Sequence, residues 1–170
     1  MRIAIAQINC TVGDITGNVA KIIDAVRQAK TAGAELVITP ELAISGYPPS
    51  DLLLRETFCQ ACAAGLMELV KAVGDITLVV GHPNFEEGKL YNAASVIHQG
   101  KIIHTYHKRI LNKSPFFNET YYFDTGTKPC IFELNDIKFG IFICSDFCIG
   151  NPSIDPTRSE YNILLFFSAS

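Results

Sequence analysis

Three side chains in this sequence could share one reaction. Glu41, Lys108 and Cys144 are a carboxylate, an ammonium and a thiol, each placed where an ordered-looking run gives way to polar residues. Glu41 follows Leu36-Val37-Ile38-Thr39-Pro40, Lys108 closes the run that starts at Lys101, and Cys144 closes Phe139-Gly140-Ile141-Phe142-Ile143. A thiol attacks a carbonyl carbon as its thiolate. A base that takes its proton and a cation that steadies the resulting oxyanion would complete an acyl-transfer site. A carboxylate leaving a buried strand is partly desolvated, which lifts its pKa towards the range of a general base. Each residue also has a structural reading. Free cysteines are most often small packing residues, Glu41 could be a solvated loop residue, and Lys108 one of the exposed bases beside Lys101, His107 and Arg109. Spacing alone leaves both readings open.

Other reactive residues point less clearly to chemistry. Cys59 and Cys62 have C-x-x-C spacing but sit among Ala61, Ala63 and Ala64 in a helical pattern, with no second pair at zinc-finger spacing. They read as core, as do Cys10, Cys130 and Cys148. His82, His98, His104 and His107 form no H-E-x-x-H, and no glycine motif for a nucleotide phosphate is present.

The elements that must position these residues follow from periodicity. Residues 2–9, 35–39, 76–81, 90–98, 101–108, 129–134, 137–144 and 162–167 read as strands. Residues 17–32 read as a helix, because Val19, Ile22, Ile23 and Val26 share one face; Asp14 or Asn18 caps its start. A second helix starts at Asp51 or Glu56 and runs to Val73, with Ser50 as its cap, and a short third helix covers 155–161. Glu86-Glu87-Gly88-Lys89 is a hairpin turn, and residues 109–128 form a long loop of the kind that is usually functional. Helices alternating with strands, then hairpins, give an α/β layered domain with a mixed sheet. In such sheets ligands bind beyond the carboxyl ends of strands, where all three reactive residues fall. The apolar run Ile163-Leu164-Leu165-Phe166-Phe167 needs cover on both faces, so the domain is expected to be incomplete at its C-terminus or completed by another chain.

Composition removes several classes. The chain has 170 residues, 14 basic against 17 acidic, for a net charge of −3. That balance carries no footprint for nucleic acid. With 48% hydrophobic residues it is not a disordered chain. No apolar run approaches the ~18 residues of a membrane span. Met1-Arg2-Ile3-Ala4-Ile5 followed by Gln7 and Asn9 is no secretory leader, so a cytoplasmic protein with reduced thiols is expected.

Several blocks together resemble the nitrilase (carbon–nitrogen hydrolase) superfamily over residues 1–170. They are Ile3-Ala4-Ile5-Ala6-Gln7-Ile8-Asn9, Pro40-Glu41-Leu42, Val80-Gly81-His82-Pro83, Leu90-Tyr91-Asn92-Ala93-Ala94, Tyr106-His107-Lys108, Phe117-Asn118-Glu119 and Gly140-Ile141-Phe142-Ile143-Cys144. Gly46-Tyr47-Pro48-Pro49-Ser50-Asp51-Leu52-Leu53 points to one branch, the glutaminase domains of glutamine-dependent NAD synthetases. The resemblance implies an α-β-β-α sandwich spanning 1–170, truncated, with the synthetase domain absent. It implies glutamine hydrolysis through a cysteine thioester. Cys144 attacks the amide carbon, Glu41 moves the proton, and Lys108 with the N–H of Ser145 holds the oxyanion. Glu119 holds the lysine, Tyr47 lines the glutamine pocket, and Ser170 matches a substrate-binding serine. No cofactor is implied for this half-reaction; ATP and Mg²⁺ belong to the synthetase domain or subunit that takes the ammonia. Homo-oligomers are expected.

The sequence departs from the family pattern after the nucleophile, at Ser145-Asp146-Phe147-Cys148, and after the lysine, at Leu111-Asn112-Lys113-Ser114. Ser114 and Cys148 stand where the family has aromatic residues. Two other readings therefore stand beside glutamine hydrolysis: a non-catalytic assembly module of the same fold, and an amidase for another small amide.

Overall fold

The computed structural model describes residues 1–148 and 160–169. β1 (Ile3–Ile5), β2 (Leu36–Ile38), β3 (Thr77–Glu86), β4 (Lys89–His98) and β5 (Lys101–His107) form a five-stranded sheet in that order. β1, β2 and β3 are parallel, and helices α1 (Ile15–Thr31) and α2 (Glu56–Ala72) make the crossovers. β3, β4 and β5 are antiparallel neighbours joined by tight turns. A second sheet holds β6 (Ile131–Leu134), β7 (Ile137–Ile143) and β8 (Ile163–Phe167), with β7 antiparallel to β6 and parallel to β8. A four-residue helix, α3 (Ser145–Cys148), follows β7.

Alternation along the strands gives the first sheet two apolar faces. Val37, Leu78, Val80 and Ile97 pack under α1 and α2, against Val19, Ile22, Leu66 and Leu69. Leu36, Ile38, Val79, Ala94 and Val96 face the opposite way, onto Phe132, Phe139, Ile141, Ile143, Leu165 and Phe167 of the second sheet. The order is helices, sheet, sheet, as in the nitrilase-type sandwich. On the outer side of the second sheet Phe147 of α3 meets Phe166 edge-on. Among the described residues no helix is long and apolar enough to cross a membrane.

Some boundaries differ from expectation. β1 stops at Ile5 because the chain bends there, the Gln7 N–H turning back to the Ile5 carbonyl at 3.1 Å. β3 extends to Glu86, since its ladder with β4 continues through His82, Pro83 and Asn84. Asp14 caps α1 by accepting the Gly17 N–H at 3.0 Å. Asn18 is buried instead, tying the Thr11 backbone to the Ile44 carbonyl. Ser50 does not cap α2. It opens a 3₁₀ turn, Ser50–Leu54, at φ 46°, and Arg55 precedes α2 without a side-chain cap bond. The polar residues after Cys144 form a helical turn. The helix expected over 155–161 lies largely outside the described residues, and Cys62 lies in the core beneath α2.

Candidate active site

The backbone brings Glu41 in first. Beyond β2 the Thr39 N–H still bonds the Val79 carbonyl, and its Oγ1 accepts the Gly81 N–H at 3.1 Å. A Cβ on Gly81 would lie 2.6 Å from the Pro40 oxygen and 2.7 Å from the Leu42 nitrogen. Only glycine there lets the segment carrying Glu41 cross β3 so closely. Lys108 lies one residue past β5. Its N–H donates to the Asn92 carbonyl at 2.8 Å and its carbonyl accepts the Gly126 N–H at 2.9 Å, so its main chain is held from both sides. Glu119 opens a 3₁₀ turn, Glu119–Tyr121, within the long loop.

Their side chains meet in a closed cluster. The Lys108 ammonium donates to Glu41 Oε1 at 2.7 Å and to Glu119 Oε2 at 2.7 Å. The Asn92 amide nitrogen donates to Oε1 of Glu41 and Oε1 of Glu119, both at 2.8 Å. The Asn112 N–H adds a bond to Glu119 Oε2 at 2.7 Å. All four side chains are buried. Burial raises the Glu41 pKa, Lys108 opposes the rise, and the Glu119 charge adds to it. Burial works against the Lys108 charge, but Glu41 and Glu119 outweigh it and hold the ammonium above its ordinary value. Such groups titrate as a unit.

Cys144 arrives from the other sheet. It sits between β7 and α3 at φ 43°, a conformation that a side-chain-bearing residue adopts at a cost. Its N–H donates to the Phe167 carbonyl of β8 at 2.7 Å, which fixes the corner. Strand-to-helix corners of this kind push a nucleophile clear of the sheet. The Tyr47 phenol is pushed up to about 12, chiefly by burial, with Glu41, Glu119 and Cys144 adding to the rise and Lys108 opposing it. All four charged or ionisable groups are therefore close enough to act on one hydroxyl. The Tyr47 ring stands edge-on to Phe117 at 5.4 Å.

Asp146 is the residue the sequence reading missed. One carboxylate oxygen accepts the N–H groups of Arg109 and Ile110, at 3.0 and 2.9 Å. The other accepts the Tyr106 hydroxyl at 2.7 Å and the Ile143 N–H at 3.0 Å. It thus grips the residues after Lys108 and the residue before Cys144 at once. Asn92 was also assigned no role, although an asparagine inside an apolar strand is a signal of a buried polar bond. Ser145 places its hydroxyl on the Ile110 carbonyl at 2.6 Å and leads α3 with its N–H, one of the first-turn donors that lack a partner within a helix. Ser170 and the Cys148 side chain lie outside the described residues. Ser114 accepts the Phe116 N–H in the loop.

Carbon-nitrogen hydrolase is the family whose pattern this chain matches, over residues 2–169, and the chain belongs to that family. The relatives narrow the branch. A glutamine-dependent NAD(+) synthetase of Xylella fastidiosa is 37% identical over 173 residues, covering 100% of this chain and 32% of that protein. The Synechocystis protein of the same name is 37% identical, covering 99% and 34%. The solved glutamine-dependent NAD+ synthetase of Acinetobacter baumannii, in complex with ADP, superposes with a TM-score of 0.93 at 34% identity, covering 99% of this chain and 32% of that one. An amidase from Nesterenkonia sp. superposes with a TM-score of 0.85 at 25% identity, covering 99% and 64%. The chain spans about a third of the length of the curated relatives it matches.

Proposed function

We propose that residues 1–170 form the amide-hydrolysing domain of a glutamine-dependent NAD synthetase, with glutamine as substrate. The observation that carries this reading is the buried Lys108 ammonium, 2.7 Å from both Glu41 and Glu119, sharing the Tyr47 neighbourhood with Cys144. In this reading the Cys144 sulfur attacks the side-chain amide carbon while Glu41 takes the thiol proton. The oxyanion is met by Lys108 and the Ser145 N–H, of which one such donor is worth ~2.7–4 kcal/mol. Glu41 then passes its proton to the departing ammonia, leaving a γ-glutamyl thioester. Water gives a proton to Glu41, attacks the thioester, and releases glutamate. Glu119 keeps Lys108 charged and placed, and Tyr47 with Phe117 walls the pocket. The domain needs no cofactor for these steps; ammonia would pass to a synthetase domain that uses ATP and Mg²⁺. A second reading, hydrolysis of another small amide, is favoured by Ser114 in place of a pocket aromatic and by the likeness to the Nesterenkonia amidase.

The test is labelling with diazo-oxo-norleucine, a glutamine-shaped electrophile, with the adduct mapped by mass spectrometry and ammonia release measured from glutamine, acetamide and propionamide. An adduct on Cys144 that disappears in Glu41→Gln, with glutamine preferred, is the expected outcome. Preference for the small amides selects the second reading. Ammonia release equal to that of Cys144→Ala on every amide removes both.

A further inference from the structure

We infer that Asn92 is a positioning residue that selects which oxygen of Glu41 exchanges the thiol proton; this rests on the reading of Glu41 as the base. An asparagine amide has two N–H donors. Both are committed here, one to Glu41 Oε1 and one to Glu119 Oε1. Lys108 lands on the same Glu41 oxygen, so Oε1 accepts two hydrogen bonds, one of them charge-assisted. Oε2 lies outside both. A carboxylate oxygen with both lone pairs engaged is the poorer proton acceptor, so the basicity of Glu41 is concentrated on Oε2. Lys108 alone would not achieve this, because an ammonium is a point charge that either oxygen can take. Asn92 is what makes Oε1 the doubly held oxygen.

Asn92 is well built for that task. Its carbonyl takes the Lys108 N–H at 2.8 Å, and its strand position is paired with Pro83. One residue therefore fixes the lysine's main chain and both carboxylates. Among the described residues Oδ1 of Asn92 has no hydrogen-bond partner and is closed to solvent. The reversed amide would aim that oxygen at two carboxylates, so only the orientation with the nitrogen inward is tolerable. Glu41 is faced by Lys108 from the end of β5, Glu119 from the long loop, Asn92 from β4 and Tyr47 from the loop after β2. Of these only Asn92 is neutral over the working pH range and able to donate to both carboxylates.

The experiment follows alkylation of Cys144 by iodoacetamide from pH 5 to 9 in wild type, Glu41→Gln, Asn92→Ser and Asn92→Asp, with adducts mapped to Cys144. In the reaction the S–C bond forms, the C–I bond breaks, iodide leaves, and the thiol proton goes to Glu41. The Asn92 variants are expected to react about tenfold more slowly near pH 7. Their acid limb should move to higher pH, because a hydrogen bond favouring the charged carboxylate is gone. Wild-type rates and limb in folded Asn92 variants would overturn the inference, as would a slower rate with the limb unmoved. If Glu41→Gln reacts as wild type, the base assignment fails instead. Should both variants unfold, the Asn92 side-chain NH₂ signals of the wild type decide in ¹H–¹⁵N spectra. They are expected to shift through the acid limb with the same midpoint, and signals that stay still overturn the proposal.

Discussion

Glu41 and Lys108 stand on the five-stranded sheet and are held by opposite charge, whereas Cys144 stands on the three-stranded sheet and is held by its backbone. The first pair is buried, and each partner's protonation depends on the other and on Glu119. The Cys144 backbone instead combines a φ of 43° with a bond to β8 and the Phe147 N–H on its carbonyl. The difference separates two design problems. In the proposed reaction charge balance decides when a proton moves, and chain geometry decides what the sulfur points at. Asp146 belongs to both, since its two oxygens reach the chain on either side.

The largest expected effect comes from removing the shared cation. Lys108→Met leaves two buried carboxylates facing each other, and breaking a buried pair in this way costs about 3–5 kcal/mol. Amide hydrolysis should fall by about 10³-fold with the loss of an oxyanion partner. One carboxylate then binds a proton more tightly in the folded than in the unfolded state, so the variant's stability should recover as pH falls from 8 towards 5. Urea unfolding at both pH values reads this out. A variant as stable as wild type at pH 8 breaks the charge-balance half of the comparison.

The next effect tests the bridge. Asp146→Ala strands the N–H groups of Arg109, Ile110 and Ile143 and the Tyr106 hydroxyl, and should cost about 3 kcal/mol. In folded protein at low temperature kcat should drop while KM stays near wild type. A change confined to KM would mean that Asp146 shapes the pocket rather than joining the two sheets.

The smallest effect sharpens the contrast from outside the site. His82 on β3 is buried with its Nε2 2.7 Å from the Ser95 hydroxyl, and burial lowers its pKa to about 4. A histidine depressed below its unfolded value loses stability as pH falls through the unfolded pKa. Between pH 7 and 5 that loss is about 2 kcal/mol, and His82→Gln should flatten the unfolding curve by that amount. Equal slopes in the two proteins would mean that His82 is not held neutral. With the expected difference, this pair of strands carries a neutral His82–Ser95 bond alongside the charged cluster at its loop end.

The positions of Glu41, Lys108 and Cys144 were legible because each follows a strand, and strand ends are visible as the close of a hydrophobic pattern. The bonds that organise them were not. Asn92 lies 51 residues from Glu41, and Asp146 lies 37 from Arg109. Nothing local marks those partners. Boundaries failed where chain direction changed without a change of pattern. Gln7-Ile8-Asn9 keeps a strand-like alternation after the chain has already bent, and Ser50 looks like a cap but occupies a left-handed turn.

The bond from the Cys144 amide to Phe167 has a consequence for biosynthesis. A chain leaves the ribosome from its N-terminus, so the first sheet and its helices are complete well before that bond's acceptor has been added. Until then the Cys144 corner lacks its tie to the neighbouring strand and rests on the Asp146 and Ser145 contacts. Completion of the Cys144 corner is thus a late event in the life of the nascent chain, reached only after the residues of the Glu41–Lys108–Glu119 cluster have been made.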